Sequence, residues 1–310
     1  MAVYKRTYHG YHGPLTPTWS RFLVLPRYSF EAMRKNRLLT IFFMVSCFWP
    51  MISSLVIYLN HNISALKLLK INASQVVNID SSFFLTFLGL QSMMAFFLAA
   101  LGGPGLISPD LLNNALPLYL ARPFSRAEYV LGKASVLLIL LSIMTWIPGL
   151  GLFLLEGYWS GASWMWDNLR TAGGLFLGAW IWILVLTLMA LALSAWVRLK
   201  HIGAGVMFIV FFVAAGFGEA INQLLRTKWG HLINISHLIG SVWVHLFDKP
   251  IERGTGAVFF RIKVVVDAGQ QATSAGEQLP IWACWMGLFG ICAVCLYMLS
   301  LKIRGAEVVK

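Results

Sequence analysis

Six long apolar runs, each free of Asp, Glu, Lys and Arg, dominate the pattern of hydrophobic and polar positions. They cover 38–59, 81–101, 134–155, 171–197, 202–218 and 280–301. A helix needs about 20 apolar residues to cross the hydrocarbon core of a bilayer, and none of the runs alternates as the strands of a membrane barrel do. The pattern predicts an all-α polytopic membrane protein with six spans. The fifth run is short, but only Glu219 interrupts its extension to residue 225.

Composition supports a membrane protein and the distribution of positive charge predicts its orientation. Hydrophobic residues make up 58% of the chain and charged residues 12%, which excludes a soluble enzyme, a disordered chain and a DNA-binding factor. The tails, the loop after the second span and the turn after the fourth hold 15 of the 24 Lys and Arg residues. Both termini are therefore predicted to be cytoplasmic. The net charge of +12 is expected to act on anionic lipid, with no nucleic-acid partner.

The segment before the first span, Trp19–Arg37, mixes aromatic and basic residues at helical spacing. This pattern predicts an interfacial helix that lies on the inner leaflet of the bilayer. The alternative is an ordinary basic flank of the first span.

The loop after the second span contains helix signals. Gly102–Gly105 ends the span, and Ser108 or Asp110 is placed to cap a short helix that reaches about residue 116. Ser125, with an acid three residues later, forms the capping box of a second helix that leads into the third span. We therefore predict a structured, helical cytoplasmic loop, the kind of surface on which a partner docks.

Pro148–Gly151 predicts a kink or break near the outer end of the third span. The largest segment on the outer side, 222–279, follows the fifth span. Residues 229–247 place polar and apolar side chains on opposing faces, which predicts an amphipathic helix on the outer surface. Residues 257–266 are typical of a β-strand. No second folded domain is predicted, so residues 1–310 form a single transmembrane domain.

Candidate catalytic chemistry is sparse. The sequence has no P-loop, so the chain itself is not expected to hydrolyse ATP. His231, His237 and His245 suggest a metal site, but their spacing favours the polar face of a helix. Glu156 and Glu219 lie at the outer ends of spans, where an acid is either an ordinary interfacial residue or part of a transport pathway. All four cysteines fall within the first and last apolar runs, which favours packing over disulfides.

One stretch carries a family motif. Leu106–Asp110 reads LISPD, Ala121–Arg126 reads ARPFSR, and Gly132–Lys133 follows. With six spans, both ends inside and an interfacial helix before the first span, this motif resembles the permease subunit of type-two ABC exporters. Residues 111–115 carry no charge, whereas the family usually has a charged run there.

The resemblance implies an ATP-driven transporter in which this chain is the membrane subunit. A second permease chain, the same or related, would complete the membrane part. A pair of ABC ATPase subunits, holding ATP and Mg, would bind loop 106–117, the coupling loop. The residues implied to contact the ATPase are Asp110, Leu111, Asn113 and Asn114. The turn implied to brace them contains Pro123, Ser125 and Arg126. The basic residues implied to anchor the interfacial helix are Arg34, Lys35 and Arg37. The membrane implied is a bacterial inner membrane.

Three alternatives stay open at this point. An ion-coupled secondary carrier or channel is disfavoured by the absence of charge in most of the spans. A membrane-embedded lipid-modifying enzyme would use His231, His237 and Glu219. A non-transporting scaffold would bind a partner without coupling it to ATP turnover.

Overall fold

The computed structural model describes residues 26, 28–31, 35–62, 78–113, 115, 125–197, 199–248 and 279–303. The α-helices in this part of the chain are α1 Arg37–His61, α2 Ser81–Gly102, α3 Ser108–Leu112, α4 Arg126–Met144, α5 Trp146–Ser160, α6 Ala162–Asp167, α7 Leu169–Trp196, α8 Lys200–Leu225, α9 Ile235–Leu246 and α10 Ile281–Lys302. Two 3-10 turns, Gly103–Gly105 and Trp229–Ile233, precede α3 and α9.

Six helical segments are long and apolar enough to cross a membrane, as the sequence predicts. They are α1, α2 with its extension to α3, the pair α4 and α5, α7, α8 and α10. The described part of the chain is helical and contains no strand. This is the architecture of an integral membrane protein. The predicted strand at 257–266 lies outside the described residues.

Helix α7 forms the centre of the bundle. It packs against α2, α4, α5, α8, α9 and α10, and 67% of its most apolar window is buried, against 17% for α1 and 22% for α8 and α10. Trp182 and Leu186, in the middle of α7, are fully buried. The helices α1, α8 and α10 therefore form the periphery and expose apolar side chains, as helices that face lipid do.

The predicted break in the third span occurs slightly earlier than expected. α4 ends at Met144, Thr145 leaves helical geometry, and α5 begins at Trp146, whereas the sequence placed the break at Pro148–Gly151. A proline removes a backbone donor and its ring crowds the carbonyl four residues before it. Pro148 therefore disturbs the chain at Met144 rather than at its own position.

Helix α9 forms where the amphipathic helix was predicted, but it is not free on a surface. It packs against α7 and α10, and the Trp243 indole donates a 2.8 Å hydrogen bond to the carbonyl of Gly178 in α7. Leu238 and Val244 are buried as well, although the predicted apolar stripe consisted of Leu232, Ile235, Ile239, Val242 and Leu246. The prediction was incomplete because a helix held between two others buries more than one face.

The predicted interfacial helix is described only in part. Residues 28–31 are helical, and Arg34 lies outside the described residues. Lys35 is exposed, with its ammonium 3.6 Å from the exposed Glu31 carboxylate. Arg37 is exposed at the start of α1, after Asn36, whose side chain accepts a hydrogen bond from the Leu38 amide.

Candidate functional site

The loop at 106–117, which the resemblance implies to be a coupling loop, follows a turn that is held by α7. The Ser194 hydroxyl of α7 donates to the Pro104 carbonyl at 2.7 Å and accepts from the amides of Ile107 and Ser108 at 2.9 and 3.1 Å. Gly103 lies so close to α7 that a Cβ there would overlap the Cβ of Ala190. The buried Ser194 side chain thus accepts from the backbone amides of both Ile107 and Ser108. A side-chain N-cap from within the loop is therefore unnecessary.

The predicted N-cap of α3 was wrong. Neither Ser108 nor Asp110 caps α3, because Ser108 is its first helical residue and Asp110 lies in its first turn. The helix ends at Leu112, before the predicted end near residue 116. A helix of five residues has little stability of its own, so contacts with other helices keep it in place.

Asp110 provides the second of these contacts. Its Oδ2 accepts a 2.7 Å hydrogen bond from the Tyr129 hydroxyl and lies 2.9 Å from the Lys133 ammonium, both on α4. The Lys133 and Asp110 side chains are only 8% and 16% exposed. The ammonium also lies 5.8 Å from the centre of the Tyr129 ring and 3.5 Å from the Ser29 hydroxyl. A mostly buried ion pair, supported by two hydroxyls, therefore joins α3, α4 and the segment before α1.

The start of α4 matches its prediction. The Ser125 hydroxyl accepts from the Glu128 amide at 3.2 Å, and the Glu128 carboxylate accepts from the Ser125 amide at 2.6 Å. This reciprocal pair is the predicted capping box. It fixes where α4 begins, and so where Tyr129 and Lys133 lie relative to α3.

The predicted contact residues separate into buried and exposed groups. Asp110 points to α4 and Leu111 packs against the apolar core, so neither presents its side chain freely to a partner. Asn113, Ser125 and Arg126 are exposed. Leu112, which the sequence reasoning passed over, is 49% exposed. Asn114 and Pro123 lie outside the described residues.

Sequence reasoning also missed the residues that hold the loop. The sequence distinguishes Lys133 only as one of the basic residues that predict orientation and as part of the family motif, and it does not distinguish Ser194 at all. The spacing of Tyr129 and Lys133, one helical turn apart on α4, is a weak local signal. Nothing in the sequence around Ser194 indicates that it contacts a turn some 90 residues earlier.

A second cluster brings together the three residues named for an enzyme. The His231 and His237 rings stack with centres 4.1 Å apart, and His231 Nδ1 lies 3.9 Å from a Glu219 carboxylate oxygen. Burial lowers the pKa of His237 to about 4, assisted by repulsion from His231. Burial also lowers the pKa of His231, against the attraction of Glu219. Within the described residues no group of three or more His, Cys, Asp and Glu side chains is arranged to hold a metal.

A third polar pair joins the ends of α1 and α5. Glu156 is 3% exposed, and its Oε1 lies 3.0 Å from His61 Nε2 and accepts from the Ser160 hydroxyl at 2.6 Å. The His61 ring stacks on Trp159. The other carboxylate oxygen of Glu156 is buried without a hydrogen-bond partner. A buried acid near the end of a span is a residue of the kind that is found along ion pathways.

Comparison with known proteins adds no relative to this picture. No protein-family model matches the chain, and no curated protein matches it. Among the three polar groups, the loop that begins at residue 106 connects an exposed edge, at Leu112, Asn113 and Arg126, to the helices α4 and α7.

Proposed function

We propose that this chain is the permease subunit of an ATP-driven ABC transporter, an exporter, coupled through loop 106–117 to a separate ATPase pair that holds ATP and Mg. A second permease chain completes the membrane part. The membrane is a bacterial inner membrane, and both termini are cytoplasmic. The family motif at 106–133 and the six apolar helices support this proposal.

The observation that carries the proposal is the bracing of α3 from two sides. Asp110 ties it to Tyr129 and Lys133 on α4, and Ser194 ties its first amides to α7. A short helix held this way moves with its neighbours. A push on α3 therefore displaces α4 and the central helix α7 together, because packed elements rearrange as bodies rather than deform continuously.

The exposed edge of the loop is where the ATPase would bind. Leu112 offers an apolar side chain and Asn113 an uncharged polar one, with Arg126 at the start of α4. ATP-driven closure of the ATPase pair would bias the spans between two arrangements through its different contacts with this edge in the two states.

The test is co-purification of tagged full-length chain from its native membrane in detergent, followed by mass spectrometry and an ATPase assay. We expect a nucleotide-binding subunit that turns over ATP. The double variant Leu112→Arg, Asn113→Arg should lose that subunit while it stays monodisperse. Asp110 is left unchanged, because its loss would also break the ion pair with Lys133.

The matched control is Ala162→Arg, Ser163→Arg, two neighbouring exposed positions in the short helix α6 at the opposite end of the bundle. This variant should keep the ATPase. Recovery of intact chain without any nucleotide-binding protein, under conditions that keep it folded, would overturn the proposal.

A second candidate, an ion-coupled carrier, is favoured by one observation, the buried Glu156 beside His61. It predicts flux into proteoliposomes that needs an ion gradient and no ATP, and that Glu156→Gln abolishes. The permease proposal predicts no such flux from the isolated chain.

A further inference from the structure

Two prolines, in different helices, each leave a backbone carbonyl without its helical partner. Pro50 lies in the middle of α1 and Pro148 in the first turn of α5. Because proline has no amide hydrogen, the carbonyls four residues earlier, of Ser46 and Met144, lose their helical hydrogen bonds. Both lie midway along spans, where no bulk water is available to replace the missing donors.

A single side chain of α2 supplies both donors. Gln91 Nε2 lies 3.1 Å from the Ser46 carbonyl oxygen and 2.6 Å from the Met144 carbonyl oxygen. Gln91 is 1% exposed, and its amide carries two hydrogens, one for each acceptor. The orientation of the amide follows from the partners, since a flipped amide would place its oxygen against two carbonyl oxygens.

We infer that Gln91 is a positioning residue that joins the two proline sites into a single hinge. α1, α2 and the α4–α5 pair meet at this one amide. A tilt of α2 that withdraws the amide frees both carbonyls at once, so the two sites loosen together and are restored together.

The hinge also lies on the path from the coupling loop. α2 runs directly into the turn and α3, and α4 receives the Asp110 contact. A displacement of α3 therefore reaches Gln91 through α2 and Met144 through α4. What drives this displacement rests on the proposed function, whereas the shared hinge rests only on the contacts of Gln91.

The first experiment measures hydrogen exchange on the purified full-length chain in lipid nanodiscs. Gln91→Met keeps the size of the side chain and removes both donors. We expect exchange to rise about tenfold in peptides that cover 43–50 and, equally, in those that cover 141–149, as the loss of one net hydrogen bond at each site predicts. The control is Ser92→Ala, the next buried residue of α2, whose hydroxyl has no partner. It should change neither region.

The second experiment separates hydrogen bonding from packing. Pro148→Ala restores an amide that can bond the Met144 carbonyl within the helix. In the Pro148→Ala background, Gln91→Met should still raise exchange at 43–50 but no longer at 141–149. In the Pro50→Ala background, Gln91→Met should raise exchange at 141–149 but no longer at 43–50. In the double proline variant, Gln91→Met should leave both regions unchanged.

Two outcomes would overturn the inference. One is a rise in exchange at only one proline site in Gln91→Met. The other is an equal effect of Gln91→Met with and without the prolines, which would make Gln91 a packing residue. If the proline variants do not fold, Gln91→Leu decides, because leucine also lacks both donors but differs from methionine in shape. Equal rises at both sites in the two variants support lost hydrogen bonding, whereas rises that differ between the variants would make Gln91 a packing residue. No ATPase enters these measurements, so their failure is distinct from failure of the proposed function.

Discussion

Lys133 Nζ lies 2.9 Å from Asp110 Oδ2, and this contact fastens the loop after α2 to the start of α4. Tyr129 donates to the same carboxylate oxygen from one turn earlier on α4. Asp110 is therefore part of the internal framework of the loop, whereas Leu112 and Asn113 form its exposed edge.

We expect the Asp110–Lys133 pair to be strongly coupled in stability. Lys133→Met leaves a mostly buried carboxylate without its counter-charge, which costs about 3 kcal/mol. Asp110→Asn in the same chain should recover much of that loss, with a coupling energy of at least about 1 kcal/mol. Unfolding of the parent chain, the two single variants and the double variant in detergent gives the double-mutant cycle. Additive effects of the two single changes would contradict the coupling.

Removal of the Ser194 hydroxyl should release the turn before α3. Ser194→Ala leaves the buried amides of Ile107 and Ser108 without an acceptor, a loss of about 2 kcal/mol. Thr187→Val is a matched control, since Thr187 is buried on the same helix and its hydroxyl has no partner. It should be neutral or slightly stabilising. Thermal unfolding and hydrogen exchange in peptides covering 104–112 are measured for both variants. Equal effects of Ser194→Ala and Thr187→Val would show that the Ser194 hydroxyl does not hold the turn.

The turn before α9 should depend on a glycine contact with α8. A Cβ on Gly218 would lie 2.5 Å from the carbonyl oxygen of Gly230, so Gly218→Ala forces the turn away from α8 and costs about 2 kcal/mol. Gly216, two residues earlier, has open space at its Cβ position. Gly216→Ala should therefore stabilise α8 slightly. The thermal unfolding midpoint should be lower for Gly218→Ala than for Gly216→Ala. A lower midpoint for Gly216→Ala would contradict the contact between Gly218 and Gly230.

Acid should weaken the packing around α9. Because the pKa of His237 is lowered to about 4 from 6.5, the unfolded chain binds a proton more readily than the folded chain between these values. Stability therefore falls as the pH is lowered from 6.5 toward 4, by at most about 3 kcal/mol. Unfolding midpoints at pH 7.5 and 5 measure the loss.

His237→Gln should flatten this pH dependence, because glutamine cannot be protonated in this range. His245→Gln serves as the control, since His245 lies exposed on the same helix and should leave the dependence as it is. A steep dependence that survives in His237→Gln would assign it to another group.

Local sequence patterns were sufficient for the six long helices. Apolar runs located the six long helices, Ser125 and its partner three residues later located the start of α4, and Gly102–Gly105 located the end of α2. These signals are local because a helix depends on its own period and on its own termini.

The contacts that form the sites were not predictable in the same way. Asp110, Ser194 and Gln91 each bond to residues far away in sequence, and no period along the chain encodes such pairs. The burial of Trp243 likewise depends on the space above Gly178 in another helix. The available signal for the inferred hinge was the Gln91 side-chain amide within the second span, together with prolines in two neighbouring spans.

The order of three residues along the chain gives the Gln91 junction a direction of assembly. A chain is synthesised from its N-terminus, so Ser46 exists with its freed carbonyl before Gln91 emerges, and Met144 follows last. The contact between Gln91 and the Ser46 carbonyl can form once the second span packs against the first. The second hydrogen of the Gln91 amide has its acceptor, the Met144 carbonyl, only when the third span is present. Until the third span is in place, the Gln91 amide therefore lacks one of its two acceptors.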